Sequence, residues 1–204
     1  MYKFFFLILL LPSFLRNHEN GARTTKPISI DSFALKVGTQ NNSPEELEAK
    51  KQIERIAFSF PIKKWMFTDT IAIDSKAIPR SHPVLTLNTG YLQNDTAQLA
   101  TFLHEQFHWM LAANRTSMQK TIQEFEKEFP GAPAELPQGA RDQFSSYLHL
   151  IVCYLELESL KQLVGEASAR RVLQGWKHYT WIYDKVLNDP RVSEINQANG
   201  WVVP

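Results

Sequence analysis

The chain has 204 residues, of which 44% are hydrophobic, and its 22 lysines and arginines nearly balance 21 aspartates and glutamates. This length and apolar content suffice to bury one core and favour a single domain. A net charge of +1, with basic residues scattered along the chain, provides no electrostatic footprint for nucleic acid or for an anionic membrane. We therefore expect no nucleic-acid partner.

The N-terminal residues are typical of a signal peptide. Lys3 supplies one positive charge, and an uninterrupted apolar run from Phe4 to Leu11 follows it. We expect residues 1–22 to be a signal peptide and residues 23–204 to form one domain that is secreted or held in the cell envelope. An uncleaved apolar arm is the alternative interpretation. No stretch reaches the roughly 20 apolar residues of a transmembrane helix, so we expect no integral membrane domain.

The first half of the chain combines strand-like segments with two capped helices. Ser43, Pro44 and Glu46 form a capping-box pattern that predicts a helix ending near residue 58. Asn94 caps a second helix, which we expect to end near Asn114. Apolar, partly alternating residues predict strands at 28–37, 70–73 and 84–88.

The second half is predicted to be helical. A charged amphipathic helix covers 116–129, and a loop with four prolines or glycines covers 130–138. The next two helices are predicted over 141–163 and 166–187, stopped by Gly165 and Pro190. Strands that precede helices in this way indicate an α+β domain, with a small N-terminal sheet packed on the helix that follows Asn94 and a mostly helical C-terminal half.

Cys153 is the only cysteine in the sequence, so the chain can form no intramolecular disulfide. It lies in the apolar run 151–155, where we expect a buried, unreactive thiol. The fold must therefore rest on its apolar core and on any metal that it binds.

Residues 104–108 read His-Glu-Gln-Phe-His, which is the HExxH motif. Residues four apart on an α-helix lie within about 40° of each other around the axis, so His104 and His108 can bind one metal ion. Zinc suits this pair because it accepts nitrogen and oxygen ligands and, in catalytic sites, keeps one position for water. Glu105 can take a proton from that water and pass it to a leaving amine.

The motif and its flanking residues resemble the zincin metallopeptidases. The extended zincin pattern has Thr or Val three residues before the first histidine, uncharged residues between the glutamate and the second histidine, and an apolar residue two positions after the second histidine. The chain matches this pattern at Thr101, Gln106, Phe107 and Met110. The resemblance covers roughly residues 70–160. It implies hydrolysis of peptide bonds and a sheet beside the active-site helix, whose edge strand at 84–88 pairs with extended substrate.

The third ligand departs from the better-known zincin patterns. The metzincin extension needs Gly and His at the third and sixth positions after the second histidine, where this chain has Leu111 and Asn114. That branch is excluded. The close gluzincin spacing needs a glutamate nineteen residues after the second histidine, where this chain has Lys127. The neighbouring Glu126 and Glu128 belong to a charged helix face.

His149 and Glu156, in the apolar helix, are the next candidates. They are seven residues apart, so they project about 20° from one another. A buried carboxylate needs a partner, and zinc can supply one. We predict a gluzincin-like site in which Glu156 is the third ligand and His149 supports it or stabilises the tetrahedral oxyanion. Glu158 and His149 itself remain alternative third ligands, and His149 can also be read as a plain core histidine.

Downstream aromatic residues offer a further role. Zincin family members use a downstream His or Tyr to stabilise the oxyanion, which makes His178 and Tyr179 candidates. The alternative is an aromatic core cluster that includes Trp176, Trp181 and Tyr183.

These features together predict a zincin-like domain that hydrolyses a peptide or protein substrate with Zn²⁺ as cofactor. His104, His108 and Glu156 hold the metal in this prediction, and Glu105 activates the water. The alternative is a non-catalytic metal-binding or helical interaction module, with a structural zinc ion or with no metal.

Overall fold

The computed structural model of the chain describes residues 35–203. Over this range the chain folds as an α+β structure with three short strands and seven α-helices, so the predicted fold class is confirmed at this level. The predicted signal peptide, residues 1–22, and most of the strand predicted over 28–37 lie outside the described residues. No helix within 35–203 combines the length and apolarity needed to cross a membrane.

Strands and helices follow the chain in the predicted order, with a short 3₁₀ turn before the second strand. The strands are β1 (Lys36–Thr39), β2 (Thr70–Ile73) and β3 (Leu85–Leu87). The helices are α1 (Pro44–Ser59), α2 (Asp95–Ala113), α3 (Arg115–Glu128), α4 (Gln143–Val164), α5 (Glu166–Gln174), α6 (Thr180–Asn188) and α7 (Pro190–Ala198).

The three strands form one parallel sheet in the order β1, β2, β3. Ile71 and Ile73 of β2 are buried, and Leu85 and Leu87 of β3 have no exposed surface. These side chains join the core that α1 and α2 cover, since both helices contact the sheet. The sheet therefore supplies a support against which the motif helix α2 packs.

The outer edge of β3 is occupied by the chain itself. Thr86 donates its backbone N–H to the carbonyl of Arg80 at 2.7 Å, and Arg80 donates to the carbonyl of Thr86 at 3.0 Å. In a strand only every second residue turns its backbone groups outward. The substrate-pairing edge that the zincin resemblance implied at 84–88 is thus wrong at Thr86, because its outward N–H and C=O already have partners.

Helix α1 begins as the capping pattern predicts, but its glutamate acts elsewhere. The Ser43 hydroxyl accepts a hydrogen bond from the N–H of Glu46 at 3.3 Å. The Glu46 carboxylate accepts from the N–H groups of Asn41 at 2.7 Å and Ser75 at 3.1 Å instead of returning to Ser43. Glu46 is buried and ties the start of α1 to the loop after β2.

Helix α4 is the central helix of the C-terminal half. It contacts α2, α3, α5, α6 and α7, and most of its middle turns are buried. The Asp142 carboxylate caps it by accepting from the N–H of Ser145 at 2.6 Å, and Gly165, at φ +79°, ends it. Its course matches the helix predicted over 141–163.

The helix predicted over 166–187 is wrong, because the structure divides it into α5 and α6. Tyr179 has a left-handed backbone, with φ +56°, which a continuous helix does not contain. The next two N–H groups, of Thr180 and Trp181, donate to the carbonyls of Pro137 and Gln138 at 2.8 and 3.2 Å. Helix α7, which begins at Pro190, was not predicted either.

Candidate metal centre

Polar contacts at the N-terminus of α2 and inside the motif orient the HExxH residues. The Asn94 side chain caps the helix by accepting from the N–H of Ala97 at 3.0 Å. Gln106, inside the motif, is fully buried; its amide oxygen accepts from the N–H of Phe67 at 2.7 Å, and its NH₂ donates to the carbonyl of Thr68 at 2.9 Å. These contacts fix the rotation of α2, and with it the direction of the motif side chains.

Three histidines converge beside α2. The Nε2 atoms of His104 and His108 lie 3.3 Å apart. The ring of His149, on α4, lies 5.4 Å from the His104 ring and 5.0 Å from the His108 ring between centroids. One ring nitrogen from each histidine falls within 4.8 Å of those of the other two, so the three residues could hold one metal ion.

The His149 imidazole is fixed by the backbone of its own helix. Its Nδ1 lies 2.6 Å from the carbonyl oxygen of Ser145. We assign the ring proton to Nδ1, because a carbonyl can only accept a hydrogen bond. The lone pair is then on Nε2, which is the state that a metal ligand requires. The geometry of His149 therefore suits a metal ligand, which a plain core histidine would not need to match.

Glu156 lies on the opposite edge of the His104 ring. Its Oε2 is 3.0 Å from Nδ1 of His104, and the hydroxyl of Tyr183 donates to the same oxygen at 3.0 Å. In the described part of the chain, the group that contains both motif histidines is completed by His149, whereas Glu156 groups with His104 and Cys153.

The role of Glu156 as third ligand therefore stays a prediction, although His149 is the residue that groups with both motif histidines. Residues seven apart share a helix face, but they lie about 10 Å apart along the axis. Glu156 contacts Nδ1 of His104, whereas Nε2 of His104 lies beside His108, with which His149 forms the group of three. A shared face of α4 therefore does not by itself place His149 and Glu156 at the same metal ion.

The alternative ligand Glu158 lies away from the histidines. Its carboxylate accepts from the ammonium of Lys161 at 2.7 Å, and its side chain is 30% exposed. This is the solvent-side ion pair that the sequence offered as its other interpretation. Cys153 is a free, fully buried thiol, as expected, and it forms a group with His104 and Glu156.

The histidines differ in their tendency to carry a proton. Burial lowers the pKa of His108 well below its usual value, and burial with the nearby charge of His104 lowers the pKa of His149 to about 3. Burial also disfavours charge on His104, but hydrogen bonds with Cys153 and Glu156 outweigh it and raise the pKa of His104. His108 and His149 are thus neutral at pH 7, with lone pairs for a metal.

Glu105 is a buried carboxyl with an unusual affinity for protons. Burial raises the pKa of Glu105 to about 7, against the opposing charge of His104 and with the help of Glu156. A group with a pKa near the working pH both accepts and donates protons readily. Glu105 and His104 line the same cavity, so the Glu105 carboxyl can meet a molecule bound there.

The cavity at the metal centre has a volume of about 430 Å³. It is lined by Ile78, Pro79, Asn88, Gly90, Tyr91, Thr101, His104, Glu105, Leu136, Glu156, Trp176, His178, Tyr179 and Tyr183. Aromatic residues dominate one part of this lining, and Tyr91 packs edge-on against Trp176 at 5.2 Å.

Both predicted oxyanion candidates line the cavity. The Tyr179 ring lies 4.5 Å from the ring of His149, and His178 packs edge-on against Tyr179 at 4.9 Å. Trp181 packs on Phe129 instead and belongs to the core, as the alternative interpretation proposed.

The sequence analysis grouped Tyr183 with the core aromatics and missed its place in the cavity lining and its hydrogen bond to Glu156. The signal was a tyrosine one turn after Tyr179, on the same face of the last predicted helix. That signal is weak without knowing that Tyr179 starts a new helix.

Comparisons of the chain with known protein families, with curated proteins and with solved structures find no match. The likeness of its HExxH motif to the zincins therefore stays a prediction. The function is inferred from the geometry of the histidine group and from the cavity that His104 and the buried carboxyl of Glu105 line.

Proposed function

We propose that this chain is a zinc-dependent, zincin-like peptidase whose metal is held by His104, His108 and His149. The observation that carries the proposal is the 3.3 Å separation of Nε2 in His104 and His108. Two nitrogens bound at about 2.0–2.1 Å to a tetrahedral zinc ion lie about 3.3 Å from each other. The spacing of the two ring nitrogens therefore fits zinc without a change of rotamer.

The choice of His149 as third ligand replaces the earlier expectation of Glu156. Its Nδ1 donates to the carbonyl of Ser145, which leaves Nε2 free to bind metal. Glu156 instead accepts a hydrogen bond from Nδ1 of His104. A carboxylate behind a metal-binding histidine fixes the ring and raises its basicity, so Glu156 is assigned a supporting role.

The ligand set supports a catalytic rather than a closed structural site. Within 35–203, no fourth His, Cys, Asp or Glu joins the group of three histidines. Three protein ligands leave one coordination position open, as in catalytic zinc sites, and His104 lines the cavity beside Glu105.

Glu105 is the proposed proton carrier. A bound zinc ion supplies Lewis acidity toward water and toward a substrate carbonyl. The Glu105 carboxylate accepts a proton as the oxygen of water bonds to the carbonyl carbon, and it delivers that proton to the amide nitrogen as the carbon–nitrogen bond breaks. Its pKa of about 7 suits both transfers near neutral pH. Tyr179 and His178, in the cavity wall, are the proposed donors to the developing oxyanion.

Metal content and peptide cleavage test the proposal when measured together. The wild-type chain is expected to bind one zinc ion and to cleave members of a generic peptide library, detected by mass spectrometry. Glu105→Gln is expected to keep the metal and lose cleavage, because glutamine has the same shape but cannot take the proton. His178→Ala serves as a folding and metal control.

Three outcomes contradict the proposal or a part of it. Zinc binding with no cleavage by the wild type favours the alternative, a non-catalytic module with a structural metal. Absence of zinc binding in a folded wild-type chain rejects the metal centre itself. Cleavage that survives in Glu105→Gln rejects the assigned role of Glu105.

The cell compartment is part of the proposal. The charged and apolar residues at the N-terminus support export to the cell envelope or beyond. Expression of the full chain followed by N-terminal sequencing of the mature protein tests this, and an intact Met1 in the cytoplasm contradicts it.

A further inference from the structure

The cavity beside the metal centre has a chemical character that bears on substrate choice. Within residues 35–203, no lysine or arginine lines it. The carboxylates that line it in the described part of the chain are Glu105, which has the proposed proton role, and Glu156, which already accepts hydrogen bonds from His104 and Tyr183. The rest of the lining is largely aromatic and aliphatic.

From this lining we infer that the cavity accepts a large uncharged, apolar or aromatic side chain from the interior of a peptide, and this inference rests on the proposed peptidase function. A charged substrate side chain would lose its hydration without gaining an ion-pair partner, which is costly. Tyr91 and Trp176 present apolar ring surface to the cavity, and aromatic partners prefer the edge-on and offset contacts that such rings offer.

The position within the peptide follows from the same lining. A peptidase that removes C-terminal residues commonly binds the terminal carboxylate with an arginine or lysine, and within 35–203 neither residue type lines the cavity. A free N-terminal ammonium needs an unengaged carboxylate, but Glu156 is engaged on its Oε2 by two donors. The cavity therefore fits a residue whose two neighbours are both amide-linked.

Two exposed apolar side chains extend this character to the surface. Ile78 is 84% exposed and Leu136 is 65% exposed, and both line the cavity. They come from different loops, one between β2 and β3 and the other between α3 and α4. Single exposed apolar residues are common, but two at one cavity indicate a contact surface for an apolar ligand.

The loop that carries Leu136 is fixed in place. The Ser146 hydroxyl accepts from the N–H of Ala140 at 2.8 Å and donates to the carbonyl of Pro133 at 2.5 Å. A Cβ on Gly139 would lie 1.9 Å from the carbonyl oxygen of Pro133, so only glycine allows this close approach. The wall of the cavity is therefore preformed rather than assembled by the substrate.

Binding of capped peptides tests the inference separately from cleavage. Zinc-loaded Glu105→Gln is titrated with peptides that are acetylated and amidated and that carry one central Phe, Lys or Asp between glycines and alanines. Fluorescence or calorimetry gives each Kd. The Phe peptide is expected to bind at least about tenfold more tightly than the Lys and Asp peptides.

Surface variants locate the effect. In the same background, Ile78→Asp and Leu136→Asp are each expected to reduce the preference for Phe over Lys by about tenfold. Both side chains are exposed, so these changes leave the core intact. Phe58→Asp is the matched control, because Phe58 is 93% exposed and lies outside the cavity lining, and it is expected to leave the preference unchanged.

The outcomes separate the two proposals. Equal or tighter binding of the Lys or Asp peptide overturns the apolar preference, and equal or tighter binding of a peptide with a free carboxylate on the Phe residue overturns the interior position. A Phe preference that is present while the wild type cleaves no peptide leaves the substrate class standing and rejects only the peptidase. Cleavage at charged residues as fast as at Phe supports the peptidase and rejects the apolar preference.

Discussion

The two edges of the His104 imidazole contact two different kinds of neighbour. On the Nε2 side, His108 brings a ring nitrogen at 3.3 Å, and His149 completes the group of three histidines. On the Nδ1 side, Glu156 brings an oxygen that Tyr183 also contacts. Converging nitrogen lone pairs repel unless a cation or proton joins them, whereas a carboxylate with two donors is satisfied within the protein. We call the Nε2 edge, with His108 and His149, the metal-binding side, and the Nδ1 edge, with Glu156 and Tyr183, the supporting side.

His149→Ala tests the metal-binding side and carries the largest expected effect. Removing one of three ligands is expected to lower bound zinc to less than about a tenth of an ion per chain after dialysis against micromolar zinc. Elemental analysis measures the metal, and circular dichroism checks the fold. Full zinc occupancy in a folded His149→Ala protein contradicts the histidine group as the site. His178→Ala, which changes a cavity residue outside that group, is expected to keep its zinc.

Glu105→Gln tests the open side of the centre through the stability of the metal-free protein. The pKa of Glu105 is about 7 in the folded chain, above its usual value of 4.5. The folded state therefore keeps a proton that the unfolded state releases, and its stabilising effect is complete below pH 4.5 and is lost as pH rises through 7. Glutamine does not titrate. As pH rises from 4.5 to 8, the free energy of unfolding of Glu105→Gln is therefore expected to rise by about 2 to 3 kcal/mol relative to that of the wild type.

Urea unfolding of both metal-free proteins at several pH values measures this difference. A constant difference across the range contradicts a raised pKa of Glu105. Glu158→Gln gives the background, since that carboxylate pairs with Lys161 away from the cavity.

Glu156→Gln tests the supporting side and is expected to have a smaller effect on the metal. Glutamine keeps an oxygen that can accept from Nδ1 of His104 but removes the negative charge behind the ring. Loss of such outer partners weakens metal binding by about 10- to 100-fold. Competition with a chelator of known affinity gives the zinc Kd. A loss as complete as that in His149→Ala contradicts the division between the two sides, because it makes Glu156 a ligand.

The sequence predicted the motif side of the centre better than the opposite wall. His104, Glu105 and His108 occupy one helical turn, so local periodicity fixes their relation once the helix is known. The same periodicity correctly brought His149 and Glu156 to His104. It could not tell which of them groups with both motif histidines, because that depends on the axial position of α4 against α2, which is set by packing.

The remaining differences arise from contacts between distant parts of the chain. The break at Tyr179 forms where two N–H groups of α6 bind the loop carbonyls of Pro137 and Gln138, about forty residues earlier. The occupied edge of β3 similarly depends on Arg80 folding back on Thr86. Local propensity contains no information on such partners, although strands 70–73 and 85–87 and helix α4 were predicted close to their observed bounds.

Tyr183→Phe carries the smallest expected effect and tests whether support for His104 extends one contact further. The variant loses the hydroxyl that donates to Glu156 at 3.0 Å, which is expected to cost about 1 kcal/mol of stability and to raise the zinc Kd severalfold, less than Glu156→Gln does. Tyr147→Phe is the matched control, because its buried hydroxyl donates to the carbonyl of Phe129 at 2.8 Å, away from the metal centre. A similar stability loss in both variants with a change of zinc Kd only in Tyr183→Phe assigns the tyrosine to the supporting side. An equal zinc Kd in the two variants means that the Tyr183 hydroxyl does not affect zinc binding. Support for His104 then comes from Glu156 alone.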